Sequence, residues 1–164
     1  MDPFAYRRAI GRFPTGVTVV TVEDESAPNS GVHGITANSV SSVSLDPVLL
    51  LVCIGKEARS HDMIARAGRF ALSVLASDQE LVSDYFADRP VPPPEDPLER
   101  FAGHAVVRGA LSHLVCDLHT AVDAGDHTVY IGRVVALESR EDGTPLIYYR
   151  GDYRSSASAS LDLE

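Results

Sequence analysis

No stretch of this 164-residue chain comes near the roughly 18 consecutive apolar residues that a membrane-crossing helix needs. The N-terminus, Met1-Asp2-Pro3-Phe4-Ala5-Tyr6-Arg7-Arg8, has no apolar signal core, so a soluble, cytoplasmic protein is expected. Positive charge is also in short supply. Lys and Arg number 14 against 23 Asp and Glu, a net charge of −9. Nucleic acid and anionic membrane both require a concentrated basic face, and neither is expected as a partner. Cysteine is scarce too: Cys53 and Cys116 lie far apart in apolar runs and read as free, buried thiols.

The usual catalytic fingerprints are missing. There is no Gly-x-Ser-x-Gly, no Gly-x-Gly-x-x-Gly and no His-Glu-x-x-His. Gly11-Arg12-Phe13-Pro14-Thr15-Gly16 has the glycine spacing of a P-loop but continues as Val17-Thr18 without a lysine, which rules it out. The histidines at 33, 61, 104, 113, 119 and 127 have no ligand spacing to a cysteine pair or a carboxylate, so no metal site is expected.

What the chain does have is a neutral polar segment set against a core. From Thr36 to Ser44, six of nine residues carry hydroxyl or amide side chains and none is charged, yet the flanks read as buried strand. Such a surface can match the ring nitrogens and carbonyls of a flat, uncharged heterocycle, a flavin for example, without burying a charge. It can equally be an edge strand and turn whose hydroxyls bond to their own backbone. Composition leaves both readings open.

The order of the residues is more informative. Gly34-Ile35-Thr36-Ala37-Asn38-Ser39-Val40-Ser41-Ser42-Val43-Ser44-Leu45-Asp46-Pro47 closely resembles the signature of the short-chain flavin reductases, the reductase components of two-component flavin monooxygenases. Arg12-Phe13-Pro14-Thr15-Gly16-Val17 with Thr18-Val19-Val20-Thr21 resembles the family's opening strand, and Phe70-Ala71-Leu72-Ser73-Val74-Leu75 its middle strand. Gly125-Asp126-His127-Thr128 and the closing Pro145-Leu146-Ile147-Tyr148-Tyr149-Arg150-Gly151-Asp152-Tyr153 complete the series.

The resemblance implies a mainly β protein, an FMN-binding split β-barrel, antiparallel and Greek-key-like with a few short helices. It further implies a homodimer that reduces FMN or FAD with NADH or NADPH and supplies a separate monooxygenase. Hydride transfer between two stacked rings asks the protein for little acid or base help, consistent with the lack of catalytic motifs. By motif, Thr36, Ala37, Asn38 and Ser39 would line the isoalloxazine, with Ser44 and Asp46 shaping that loop. Pro14 and Thr15 would approach the ring, Cys53 is included among the cofactor-binding positions, and Tyr153 would close the rim. Lys56, Arg59 and Ser60, ahead of a helix, would hold the flavin phosphate. His127 would dock the nicotinamide and is the candidate catalytic residue. The resemblance leaves FMN against FAD open. A non-catalytic FMN- or haem-binding module and a pyridoxamine-phosphate-oxidase-like flavoenzyme are the alternatives. The second would need a further basic phosphate clamp, which is not apparent.

Patterning predicts one domain over residues 1–154 and a flexible tail over 155–164. Asp2 and Pro3 open a helix with Phe4, Ile10 and Phe13 on one face. Strands are expected over 16–22, 32–39, 70–76, 111–121, 129–138 and 146–149, with 48–54 as a buried central strand. Residues 23–31 read as a polar turn. A helix spans 59–67 and stops at Gly68. Ser77-Asp78-Gln79-Glu80 reads as a capping box opening a helix to about Ala87. The run 89–97, with five prolines in nine residues, is an extended excursion, either a linker or a lid. One difficulty follows from the charge. The cofactors implied are anions and the chain is acidic, so binding must rest on local arginines or helix N-termini.

Overall fold

The computed structural model describes residues 1–24 and 31–155. Most of the turn expected at 23–31, and the expected tail beyond 155, lie outside the described residues. The chain opens with α1 (Pro3–Ile10), where the Asp2 carboxylate accepts from Phe4 N and Ala5 N at 2.9 and 3.1 Å. No residue of α1 is buried, and Phe4, Ile10 and the following Phe13 are exposed.

The strands are β1 (Thr15–Gly16), β2 (Thr18–Glu23), β3 (Val32–Ala37), β4 (Val40–Leu45), β5 (Val48–Gly55), β6 (Arg69–Val74), β7 (Leu98–Phe101) and β8 (His104–Val107). They continue as β9 (Ser112–Ala124), β10 (His127–Ser139), β11 (Leu146–Tyr149) and β12 (Asp152–Ser155). Helices α2 (Arg59–Ala67) and α3 (Glu80–Phe86) sit between β5 and β6 and after β6. Seven strands form an antiparallel sheet in the order β3-β2-β6-β9-β10-β5-β4.

The two edges of that sheet, β3 and β4, are consecutive in the chain and joined only by Asn38-Ser39. A link that short forces the sheet to curl back on itself. Cys53 N donates to Ser39 O at 3.1 Å and the Ser39 hydroxyl donates to Cys53 O at 2.9 Å, tying that link to β5. Inside lie Val20, Val22, Val52, Ile54, Ile64, Phe70, Leu72 and Tyr130. A second cluster, including Val17, Leu75, Val107 and Leu146, joins this sheet to the small β1-β11-β12 sheet.

Several expectations need correction. The 48–54 run is not buried on both faces: Leu50, Val52 and Ile54 point into the core while Leu51, Cys53 and Gly55 alternate outward, half-exposed. The capping box does not form, and α3 starts at Glu80 with no side-chain cap. Ser77 instead bonds Thr144 Oγ1 at 2.8 Å, because the Ala76–Pro145 bridge draws it toward β11. The Gln79 side chain accepts from Ala76 N at 2.9 Å, so local capping loses to tertiary contacts. Strands β4, β7, β8 and β12 were not expected as separate elements. The proline-rich run is without helix or strand as predicted, and Arg108 anchors its end by bonding Asp96 at 2.8 Å.

Candidate functional site

The outward face of β5 is the floor of a cleft of about 690 Å³, with Leu51 and Cys53 beneath and Phe13, Thr15, Asn38, Ser39, Ser41 and Tyr148 around it. Arg7 and Ile10 of α1 and Gly151 of the β11–β12 turn complete its rim. Cross-strand register extends this face. Cys53 pairs with Val129 and Gly55 with His127, so His127 stands at the far end of the same surface. Glycine at 55 leaves space there: a Cβ at that position would lie 3.8 Å from His127 Nε2.

The polar groups of the cleft suit a neutral heterocycle. The Asn38 amide nitrogen donates to Thr15 Oγ1 at 3.1 Å, which leaves the Asn38 carbonyl oxygen able to accept and the Thr15 hydroxyl able to donate. Phe13 and Tyr148 supply apolar ring faces, and the volume falls within the range of small-molecule sites, roughly 300–1,000 Å³. The geometry therefore fits a flavin-like ring.

Thr36 lies on a smaller neighbouring cleft with Asn38, Ser83, Arg89, Tyr148 and Tyr153. Its hydroxyl donates to Ser83 O at 2.6 Å. Tyr153 is a fixed wall. Its hydroxyl donates to Asp84 Oδ1 at 2.8 Å, its ring meets Tyr148 edge-on at 5.6 Å between centroids, and the Arg89 guanidinium lies 5.5 Å over it. Burial pushes the phenol up from its ordinary range. Ala37 is buried, with its carbonyl accepting from Thr18 Oγ1 at 2.6 Å.

A second cluster stands at the start of α2. Ala58, at the N-cap position, makes no side-chain cap bond, and Ser60 Oγ is fully buried with no hydrogen-bond partner among the described residues. Arg59 is exposed and lies close enough to His33 to add to the downward pull of burial on that imidazole. Free helix N–H groups, an orphaned hydroxyl and an arginine suit a phosphate. Lys56 is engaged elsewhere, in an ion pair with Asp123, and its N–H donates to Asp126 O at 3.0 Å.

At the hairpin tip, the Asp126 carboxylate can only accept, so His127 Nδ1–H donates to it at 2.7 Å and Nε2 is left over Gly55. That hydrogen bond holds the Asp126 carboxyl below the usual range. The structure thus brings Thr15, Asn38, Ser39 and Cys53 into one cleft and sets Thr36 and Tyr153 beside it. Ser44 and Asp46 are not in it. They sit at the β4–β5 turn, where Asp46 N donates to Ser44 Oγ at 3.2 Å. Pro14 is exposed and does not line the cleft.

Sequence reasoning missed Arg7, Phe13, Tyr148 and Arg89 as site residues. Tyr148 was within reach, since a two-residue Arg150-Gly151 turn pairs Tyr149 with Asp152 and, one step further out, Tyr148 with Tyr153.

Comparison with known proteins agrees with this geometry. Residues 10–157 match the flavin reductase like domain. An NADH-dependent flavin reductase of a Rhodococcus species is 43% identical over 155 residues, covering 94% of this chain and 87% of that protein. The reductase subunit HsaB of a flavin-dependent monooxygenase from Rhodococcus jostii is 36% identical over 162 residues, covering 93% of this chain and 77% of its own. Among solved structures, the NADH:FAD oxidoreductase SgcE6 of Streptomyces globisporus, in complex with NAD and FAD fragments, superposes with a TM-score of 0.86 at 35% identity, covering 99% of this chain and 96% of that one. By sequence along nearly its whole length and by its split-barrel fold, the chain belongs to the flavin reductase-like family.

Proposed function

We propose that this protein is an NAD(P)H-dependent flavin reductase that takes FMN or FAD, reduces it with NADH or NADPH, and supplies a separate flavin-dependent monooxygenase. The observation that carries the reading is the outward face of β5, with a neutral, aromatic-walled cleft at one end and His127 over a glycine at the other. When both cofactors are bound, the nicotinamide donates a hydride to the flavin, and that reactivity is their own. The chain's contribution is placement. Thr15 and Asn38 hydrogen-bond the ring edge, Phe13 and Tyr148 exclude water from its faces, and Cys53 with Ser39 forms the floor. Arg59 and the start of α2 hold the flavin phosphate, and Ser60 can serve it by turning its orphaned hydroxyl outward. His127 orients the nicotinamide through Nε2, with Asp126 fixing the tautomer.

Mixing the purified protein with NADH or NADPH and either flavin, and following the nicotinamide absorbance band under air, tests this reading. Flavin-dependent consumption is expected. No oxidation with any of the four pairings would leave a flavin-storing module in its place.

The same proposal includes a homodimer acting in the cytoplasm. Val43, Val48 and Leu45, the last 89% exposed, form an apolar edge on the β4–β5 hairpin, and Phe4, Ile10 and Phe13 on and just after α1 are exposed as well. Surface of this kind is suited to a two-fold partner. Light scattering at micromolar concentration is expected to give twice the 17.6 kDa chain mass, and a monomeric mass would contradict it.

A further inference from the structure

The arginines of this chain divide into two populations. Of the 14 basic side chains, nine form ion pairs with carboxylates and five have none among the described residues: Arg7, Arg8, Arg12, Arg59 and Arg150. In a chain with 23 acidic residues, unpaired guanidinium groups are the exception. Arg59 stands at the start of α2. The other four converge on one cleft of about 570 Å³ between α1 and the β11–β12 turn, and no acidic residue lines it. This cleft shares Arg7, Gly11 and Gly151 with the ring cleft, so the two are continuous.

The convergence is built into the backbone. Arg150 N donates to Gly11 O at 2.8 Å, tying the β11–β12 turn to the end of α1. A Cβ on Gly11 would lie 3.0 Å from Arg7 O, tight against the helix's own last turn, and 3.7 Å from Arg150 Cα, so the helix end and the turn meet in ordinary van der Waals contact. Arg150 itself has a φ of 56° and Gly151 one of 87°, the left-handed pair of a two-residue hairpin turn. Asn and Gly are the residues that suit such a turn, and an arginine there is placed against its backbone preference. Strain of this kind points to a use for the side chain.

We propose that this arginine cleft binds the adenosine diphosphate portion of a dinucleotide cofactor. A pyrophosphate is a compact dianion whose oxygens match the guanidinium fork, and several arginines can share it. The continuity of the clefts lets a nicotinamide dinucleotide stack its ring over a flavin held at Thr15 and Asn38 while its adenylate end lies between α1 and Arg150. The concave shape suits such a ligand better than the surface of a macromolecule. NADH and NADPH carry this portion, whereas the pyrophosphate of FAD includes the flavin phosphate assigned to the start of α2, and FMN and riboflavin lack it. The assignment to a cofactor rests on the reductase reading, but binding of free ADP does not require turnover.

The test is calorimetric titration of ADP into the purified protein and three variants: Arg8→Gln with Arg12→Gln, Arg150→Asn, and Arg140→Gln as a control on the opposite hairpin end. Arg7 is left intact because it also lines the ring cleft. ADP binding is expected to weaken at least tenfold in the first two variants and to be unchanged in the control. Arg150→Asn is also expected to melt at a higher temperature, since Asn suits the positive φ, so its weaker binding cannot be laid to misfolding. Kinetic arms separate the two sources. A tenfold rise in the NADH Michaelis constant with FMN as acceptor assigns the site to the nicotinamide dinucleotide, and a rise confined to FAD would overturn that assignment together with the placement of the flavin phosphate at α2. No ADP binding by the wild type at millimolar concentration, equal binding by all variants, or unchanged constants for every dinucleotide would overturn the proposal. A protein that oxidises no NADH with any flavin, yet loses ADP binding in the variants, would keep the site and refute the reductase reading.

Discussion

Replacing His127 with alanine is expected to lower hydride transfer at subsaturating NADH by on the order of tenfold to a hundredfold, about 1–3 kcal/mol, with flavin binding nearly intact. The expectation follows from the placement of the ring. Its Nδ1 is committed to Asp126 and its Nε2 stands over Gly55 with no hydrogen bond among the described residues, so a ligand at the end of the β5 face meets that nitrogen first. Loss of the imidazole costs the fold little. The ring is half-exposed and its bonding partner Asp126 is almost fully exposed, so stability should change by no more than about 1 kcal/mol. Stopped-flow mixing with NADH, flavin fluorescence quenching and a thermal melt check the three parts separately. A variant that melts many degrees lower and loses flavin would make His127 a structural hairpin residue, and unchanged NADH kinetics would make it a solvated one.

Gly132→Ala should be the most damaging single-methyl change in the β10 strand, costing about 3 kcal/mol. A Cβ there would sit 2.6 Å from Phe70 Cζ and 2.7 Å from Cys116 Cβ, and both of those residues are fully buried. Cys116 belongs to the neighbouring strand β9, so only a backbone shift relieves the second contact. The strand is already irregular at this point, with a register shift between Ile131 and Gly132. Chemical denaturation should show a lower midpoint, and flavin binding should weaken along with it because β10 pairs with β5, the floor of the cleft. A loss below about 1 kcal/mol would mean that the Phe70 ring has room to turn aside.

The parts of this architecture that were legible in the sequence are those decided locally. Asp2 and Pro3 set the start of α1, and Arg59–Ala67 ending at Gly68 was read with its observed bounds, because a left-handed glycine terminates the helix whatever surrounds it. Ser77 shows the limit: its capping pattern is intact, but Thr144, far along the chain, competes for the hydroxyl. The half-open face of β5 was misread because a run of apolar residues looks the same whether its second face meets core or ligand. The resemblance to flavin reductases singled out Asn38, Ser39, Thr15 and His127, and the fold does bring the first three together and align the fourth with them. The arginine cleft could not be read at all. Residues 7, 8 and 12 acquire their meaning only when residue 150 is folded against Gly11.

The separation of paired from unpaired arginines also answers how an acidic protein can receive anionic cofactors. At physiological salt the Debye length is about 8 Å, so an approaching dinucleotide feels little of the net charge of −9 until it is almost in contact. What it meets at that range depends on where it arrives. Over most of the surface the guanidinium groups are already neutralised by neighbouring carboxylates, and among the described residues only those beside the clefts and at the start of α2 have no such partner. Discrimination between productive and unproductive encounters is thereby confined to the last few ångströms of diffusion. Adding salt would slow capture at the arginines, yet it would relieve little long-range repulsion, because little remains to be relieved.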